Sequence, residues 1–175
     1  MVNVSQSTEA NLFSGCIMLC LTNVFDDWYD LVYNTCKDSK DGLLEPGWEC
    51  HVTLGYGYHR DDIARLCKGD IQLPISLQSI PTQSNLSFFE NDKKVAKFAV
   101  RKDTPEFLSL CQLRQKTFQL CRCIETHPNY NPHITLGYFK PGTPVEAKLE
   151  YPMFNILYLK TSYKTAEGNK ISCVI

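Results

Sequence analysis

The sequence predicts an α+β domain built from two related halves, with antiparallel sheets that line a central cleft and helices that lie outside. The first observation is a duplicated hexapeptide, HVTLGY from His51 to Tyr56 and HITLGY from His133 to Tyr138. The copies begin 82 residues apart, which is too long for a solenoid repeat and indicates two halves of one domain. The second observation is that a strand pattern and a helix pattern precede each copy. A length of 175 residues with 43% hydrophobic and 21% charged residues fits a single globular domain over residues 1–175.

The first half begins after a polar segment, residues 1–13, that we expect to be flexible. A near-continuous apolar run over residues 15–22 predicts a central strand. Asp26 and Asp27 precede apolar residues at helical spacing, which predicts an amphipathic helix with a capped N-terminus through Cys36. A loop over residues 38–48 then leads into the first hexapeptide.

The segment between the hexapeptides predicts a helix, a strand and a hairpin. Residues 60–67 have a helical pattern that Gly69 ends as a C-cap. Residues 74–80 alternate between apolar and polar, which predicts a half-buried strand. Residues 87–90 and 95–101 flank an Asn-Asp-Lys turn and predict the hairpin.

The second half contains the longest predicted helix. Thr104 is a suitable N-cap and Pro105 suits the first helical position, and we expect the helix to run through Cys123. Its expected core stripe consists of Phe107, Leu108, Cys111, Phe118 and Leu120. A loop rich in Pro and Asn leads to the second hexapeptide, and strands over 153–163 and 170–175 complete the chain.

Each hexapeptide has the residue types of a strand, in which side chains alternate between two faces. The aliphatic residues and the tyrosine are expected on the core face. The opposite face presents a histidine and a threonine, and the candidate catalytic residues are His51, Thr53, His133 and Thr135. Packing alone gives no reason to repeat His and Thr on the face away from the core. If the halves meet about a pseudo-two-fold axis, both pairs line one cleft.

Two imidazoles and two hydroxyls in one cleft suit phosphoryl-ester chemistry. Imidazole titrates near neutral pH, so one histidine can act as base while the other acts as acid. The hydroxyls can bind non-bridging phosphate oxygens, and a protonated imidazole can offset the charge that develops there.

Charge and cysteine content exclude several classes of protein. A net charge of −1 and a pI of about 6.4 give no basic footprint for long nucleic acid. The nine cysteines are odd in number and mostly lie in apolar runs, which favours reduced thiols in a cytosol.

No ligand spacing for a metal is present, so we expect neither a metal nor a cofactor. No signal peptide or membrane-spanning run is evident, which predicts a cytoplasmic protein without a membrane partner.

Secondary site candidates flank the two motifs. Trp48 and Tyr58 could stack a base, and Lys140 could contact a phosphate. His59 and His127 are assigned structural or solvated roles. A Cys-His nucleophile at residues 50 and 51 is discounted, because alternation places those side chains on opposite faces.

With those residues placed, the paired His-x-Thr strands resemble the 2H phosphoesterase, or LigT-like, superfamily from about Gly15 to the C-terminus. The flanks are most similar to phage anti-CBASS phosphodiesterases and related viral LigT-like enzymes, over residues 42–45, 51–57, 88–91, 104–108, 126–133 and 138–142. The cysteine content departs from the phage members and favours a virus of eukaryotes. The resemblance implies a bilobal fold and a viral counter-defence hydrolase, in the host cytosol if viral, that cleaves cyclic di- or oligonucleotide messengers such as cyclic GMP-AMP.

Two other functions remain open from the sequence. The same chemistry could act on 2′–5′ oligoadenylate or on RNA ends that carry a 2′,3′-cyclic phosphate. A protein of another class would sequester a nucleotide without cleaving it. In each case the expected partner is a small nucleotide.

Overall fold

The computed structural model describes residues 11–23, 25, 27–124 and 127–175. Three helices lie wholly within these ranges: α1 (Trp28–Asp38), α2 (Arg60–Lys68) and α3 (Pro105–Leu120). The strands within them are β1 (Gly15–Asn23), β2 (Leu43–Pro46), β3 (His51–Tyr58), β4 (Ser79–Pro81), β5 (Ser87–Glu90), β6 (Lys94–Ala99), β7 (His133–Phe139), β8 (Met153–Lys164) and β9 (Lys170–Val174). Most of the segment expected to be flexible, and the acid at position 26, lie outside the described residues.

The strands form one antiparallel sheet in the order β4-β8-β1-β3-β7-β6-β5. β2 also pairs with β7, and β9 pairs with β8. The two hexapeptide strands are neighbours, and β3 meets β7 through the pair Val52 and Ile134. This architecture of sheet and helices confirms the predicted α+β fold class.

The two halves repeat the same order of elements. In the first half β1 leads through α1 to β3, which pairs with β1; in the second, β6 leads through α3 to β7, which pairs with β6. Asp27 caps α1 by accepting hydrogen bonds from two backbone amides, and Thr104 caps α3 with Pro105 at its start, as predicted. Gly69 ends α2 in the left-handed conformation, also as predicted.

The hydrophobic core lies on the sheet face opposite the hexapeptide histidines. Val52, Leu54, Ile134 and Leu136 are buried there in one cluster with apolar residues of all three helices. Burial of this face fixes the strand register, because a slip of one residue would exchange the two faces. The His and Thr side chains are thereby held on the other face.

Four expectations about elements are wrong. β2 forms inside the expected loop, because its partner β7 is remote in sequence. Most of residues 74–80 are irregular, and only β4 is a strand there. α3 ends at Leu120, since Cys121 has an extended backbone. The buried residues of α3 are Leu110, Leu113 and Thr117, while Leu108 of the expected stripe is exposed.

The cysteine expectation holds only in part. Cys67 of α2 and Cys173 of β9 form a disulfide, which the expectation of nine thiols did not include. Of the other cysteines, Cys16, Cys20, Cys36, Cys50 and Cys121 are buried thiols. In the part of the chain that is described, no helix is long and apolar enough to cross a membrane.

Candidate active site

The two hexapeptide strands bring the four predicted catalytic side chains into one cleft. Val52 and Ile134 pair at the centre, so the residues on either side of each project to the opposite face of the sheet. His51, Thr53, His133 and Thr135 accordingly all line a cleft of about 420 Å³. The predicted pseudo-symmetric meeting of the two pairs is therefore what the structure shows.

Each histidine ring is held by a backbone carbonyl two residues before it. His51 Nδ1 lies 2.9 Å from the Glu49 carbonyl oxygen, and His133 Nδ1 lies 2.8 Å from that of Asn131. A carbonyl only accepts hydrogen bonds, so Nδ1 carries the hydrogen in both rings. Nε2 is then the atom of each ring that can accept or give up a proton in the cleft.

The tyrosine that ends each hexapeptide lies in the cleft, which corrects its expected place on the core face. Tyr56 and Tyr138 both line the cleft, and Tyr56 is 53% exposed. The register of β3 against β1 shifts at Leu54, and the register of β7 against β6 shifts at Leu136. Such a β-bulge interrupts the alternation of faces and turns the following residues over.

One end of the cleft is built by α3 and the loop before β7. The Arg114 guanidinium donates to the Leu54 carbonyl at 3.0 Å and to the His127 carbonyl at 3.0 Å. It also lies 4.5 Å from the ring centroid of Tyr130, whose hydroxyl donates to the Thr53 carbonyl at 2.9 Å. These bonds fix the loop against β3 and give this end an aromatic and cationic wall.

Positive charge surrounds the second histidine. Burial lowers the pKa of His133, and the charges of Lys97 and His51 lower it further, while the bond to the Asn131 carbonyl opposes them. Lys97 is only 7% exposed, and its Nζ lies 3.6 Å from the ring centroid of Phe89. Among the described residues, no carboxylate pairs with Lys97, and none of those that line the cleft is Asp or Glu.

The three secondary candidates do not line this cleft. Tyr58 is fully buried, and its hydroxyl hydrogen-bonds to Thr117, so it cannot stack a base. Lys140 is exposed beyond the end of β7, where its backbone amide donates to Gly42. Trp48 is 40% exposed and lines a second, neighbouring groove.

No catalytic role was predicted from the sequence for Cys50, His59 or His127. Burial raises the pKa of the Cys50 thiol, which disfavours a thiolate nucleophile there. His59 is buried and caps α2 by accepting from the Asp61 amide, so its role is structural as expected. His127, assigned a structural or solvated role, is exposed and also lines the cleft.

Phe89, Arg114 and Tyr130 line the cleft, and none of them was predicted from the sequence as a site residue. Phe89 lies at the hairpin end, where it contacts the His133 ring edge-on with centroids 5.9 Å apart. Arg114 is one of three charged residues on α3, with Glu106 and Lys116, and no local signal marks it. Tyr56 and Tyr138 were the cleft residues that the sequence could have indicated. Each is the sixth residue of its hexapeptide and is repeated together with the histidine and the threonine, so it could be expected to share their cleft.

Metal-ligating side chains do not cluster in the part of the chain that the structure describes. No group of three or more His, Cys, Asp or Glu residues there is placed to hold an ion.

The curled antiparallel sheet with its helices matches the fold of two solved structures, Usb1 and LigT. No protein-family model matches the chain, and no curated protein does. Among solved structures it is similar to Kluyveromyces marxianus Usb1 with uridine monophosphate, at 13% identity and a TM-score of 0.60 over 95% of this chain and 100% of that one. It is also similar to E. coli LigT complexed with 3′-AMP, at 13% identity and a TM-score of 0.55 over 93% of this chain and 94% of that one.

Proposed function

We propose that this protein is a metal-independent phosphodiesterase that cleaves a nucleotide phosphodiester between His51 and His133. The observation that carries the proposal is the pairing of Val52 with Ile134, which puts both His-Thr pairs in one cleft. The carbonyl bonds to Nδ1 leave Nε2 of each ring as the proton-transferring atom. One site thus offers a base, an acid and two hydroxyl groups.

The proposed reaction uses a ribose hydroxyl as the nucleophile. The 2′-hydroxyl oxygen attacks the neighbouring phosphorus, its proton passes to one histidine, and the bond to the 5′ oxygen breaks as the other histidine protonates that oxygen. The products are a 2′,3′-cyclic phosphate and a free 5′-hydroxyl. In a 2′–5′ linkage the 3′-hydroxyl takes the same part. Thr53 and Thr135 bind the non-bridging oxygens.

We assign the base to His133 in the free enzyme. Burial lowers the pKa of this ring, so near neutral pH it is uncharged and holds a lone pair on Nε2. His51 is then the acid that protonates the leaving oxygen. The two rings share one charge-coupled site, so a pH profile reports their joint titration.

The substrate class that we propose is a cyclic di- or oligonucleotide messenger, which would make the protein a viral counter-defence enzyme. Three observations support this class. The flanks of both motifs resemble viral LigT-like enzymes, the cleft of about 420 Å³ suits a small nucleotide, and a net charge of −1 disfavours long nucleic acid.

A second candidate is an RNA end or a 2′–5′ oligoadenylate. The similar structures of Usb1 and LigT hold uridine monophosphate and 3′-AMP, and these linear mononucleotides favour this candidate. In a 2′–5′ linkage the 3′-hydroxyl would attack as described above. A 2′,3′-cyclic phosphate has no free vicinal hydroxyl, so water would attack its phosphorus and pass a proton to one histidine, while the other histidine protonates the ribose oxygen that leaves. The two candidates differ in the product that each releases.

A nucleotide panel tests the proposal. The protein is incubated with cyclic GMP-AMP isomers, cyclic oligoadenylates, linear 2′–5′ oligoadenylate and RNA ending in a 2′,3′-cyclic phosphate, and products are identified by mass. We expect cleavage of a cyclic nucleotide through a 2′,3′-cyclic phosphate product, with none from a double H51A/H133A variant. Recovery of every nucleotide unchanged would contradict the proposal and favour sequestration.

The same panel, repeated in EDTA, tests independence from metal. Proton transfer by the histidines needs no bound cation, so we expect turnover to be unaffected. Loss of activity on chelation, restored by adding a divalent ion, would contradict the metal-free mechanism.

A further inference from the structure

A second groove of about 460 Å³ lies beside His51 and is lined by aromatic and polar side chains that the proposed mechanism does not use. Its walls include Cys20, Tyr29, Trp48, Glu49, Leu157 and Tyr158, and we call it the aromatic groove. Trp48 and Tyr29 stack on each other there, with ring centroids 6.0 Å apart and planes 20° apart.

The aromatic groove opens on the same sheet face as the histidines. Cys20 of β1 pairs with His51 on one side and with Tyr158 of β8 on the other. Directly paired residues project to the same face of a sheet. Tyr158, Cys20 and His51 therefore form one row, so the groove continues the cleft across the first half.

The internal symmetry of the chain gives the groove a counterpart in the cleft. Trp48 and Tyr130 each stand three residues before a catalytic histidine, and each contacts the helix of its own half. Trp48 stacks on Tyr29 of α1, while the Tyr130 ring lies against Arg114 of α3. Tyr130 lines the cleft on the His133 side, so Trp48 is its equivalent on the His51 side.

The charges in the groove favour a base over a phosphate. Glu49 is paired with Lys160 at 2.7 Å, and the Asp27 carboxylate accepts hydrogen bonds from two backbone amides of α1. The exposed large hydrophobic side chains of the groove are Tyr29, Trp48, Leu157 and Tyr158. Tyr29 is 64% exposed and Trp48 is 40% exposed, so both rings can stack a nucleobase without rearrangement of the core.

We propose that the aromatic groove binds the nucleoside on one side of the scissile phosphodiester, while the cleft beside Tyr130 binds the nucleoside on the other side. This inference rests on the proposed function and deepens it, because it makes a dinucleotide unit the smallest substrate that fills the site. The phosphate lies between the two His-Thr pairs, and one base stacks on each half of the protein. A cyclic dinucleotide and an internal RNA linkage meet this requirement, and a mononucleotide end does not.

Calorimetric binding of deoxyadenylyl-(3′–5′)-deoxyadenosine tests the inference. This dinucleotide lacks the 2′-hydroxyl, so the proposed reaction cannot consume it. Base stacking contributes about 1–3 kcal/mol, so we expect W48A and Y29A each to weaken binding roughly tenfold. The control is Y33A, since Tyr33 is 57% exposed on the same helix and does not line the groove; we expect it to bind as the wild type does.

Mononucleotides locate the subsite. Deoxyadenosine 3′-monophosphate and deoxyadenosine 5′-monophosphate place their base on opposite sides of the phosphate. We expect W48A to weaken one of these two probes and to leave the other unchanged. Thermal unfolding checks that W48A is folded. The inference is overturned if folded W48A binds all three probes as the wild type does. It is also overturned if the wild type binds no dinucleotide.

The failures of the two proposals are distinguishable. If the wild type cleaves nucleotides in the panel but W48A and Y29A bind the dinucleotide normally, only the subsite is wrong. If W48A and Y29A lose binding but no nucleotide is cleaved, the groove binds a nucleoside and the proposed phosphodiesterase activity is wrong.

Discussion

At the scale of single residues, the site combines two similar histidines in unlike surroundings. His51 and His133 share the bond from Nδ1 to a carbonyl, but the residues next to the threonines differ. Met18 pairs with Thr53 in the first half, while Lys97 pairs with Thr135 in the second. Burial lowers the pKa of His133, and the charge of the buried Lys97 lowers it further. The symmetric repeat places a lysine beside the second His-Thr pair and a methionine beside the first.

A K97M variant tests this effect of Lys97 on His133. It places a methionine opposite Thr135, as Met18 stands opposite Thr53 in the first half. Burial lowers the pKa of His133 most, and the charges of Lys97 and His51 lower it further. Removal of the Lys97 charge raises that pKa, so the base becomes protonated at a higher pH. We expect the acidic limb of the pH profile of kcat/KM to move upward, by on the order of one pH unit or less.

Two further measurements separate charge from packing in K97M. A histidine NMR titration should show the His133 pKa rising in the variant. Thermal unfolding should show no loss of stability, because replacing a buried charge with an apolar side chain is often neutral or stabilising. An unchanged pH profile in a stable variant would mean that Lys97 does not act on His133.

The four catalytic candidates could be predicted from the sequence, because His and Thr recur at the same positions of both hexapeptides. The sequence could not show that Tyr58 and Lys140 lie outside the site. The burial of Tyr58 and the position of Lys140 beyond β7 depend on how the strands pair in the folded protein. Tyr56 was placed on the wrong face because a bulge has no reliable signature in a single strand. Lys97 went unrecognised, because burial of a lysine depends on the ring of Phe89 above it.

At the scale of elements, the irregularities in β3 matter as much as its pattern. The shift at Leu54 turns Tyr56 into the cleft, and a second shift at Gly57 returns Tyr58 to the core. Gly57 has a φ of +85°, a conformation that side chains with a Cβ rarely adopt. A Cβ at this position would also lie 2.6 Å from the Ile124 carbonyl oxygen.

A comparison of G57A with G69A isolates that contact. Gly69 has a similar φ of +81°, but a Cβ there meets nothing within 4 Å. Both variants bear the same backbone strain, and only G57A must also displace Ile124. We expect G57A to lose about 1–3 kcal/mol more free energy of unfolding than G69A, as for an overpacked site. Equal losses in denaturant titrations would show that the bulge tolerates a side chain.

Helices were predicted more closely than strands because their caps are local. Asp27, Thr104 and Gly69 each act within one turn of the helix that they cap. β2 depends on pairing with β7, about 90 residues away in the sequence. No local pattern could reveal it, and the same is true of the irregular chain before β4.

At the scale of the whole molecule, the duplication explains both the fold and the proposed chemistry. Each half supplies a strand, a helix and a His-x-Thr strand, and the C-terminal strands β8 and β9 extend the sheet beside β1. The hexapeptide repeat predicted this pseudo-symmetry. The addition of β8 to the first half could not be predicted, because it follows the second half in the sequence. That addition supplies Tyr158 and Lys160 to the aromatic groove and its rim.

The most direct test of the shared site is the kcat/KM of H51A, H133A and the double variant on one dinucleotide substrate. If both imidazoles act on one scissile bond, each single variant should lose about 10²–10⁴-fold. The double variant should then lose little more than either single variant, because residues that act as a unit are not additive. Single variants that each keep about half of the activity would place the two histidines in separate sites and contradict the account.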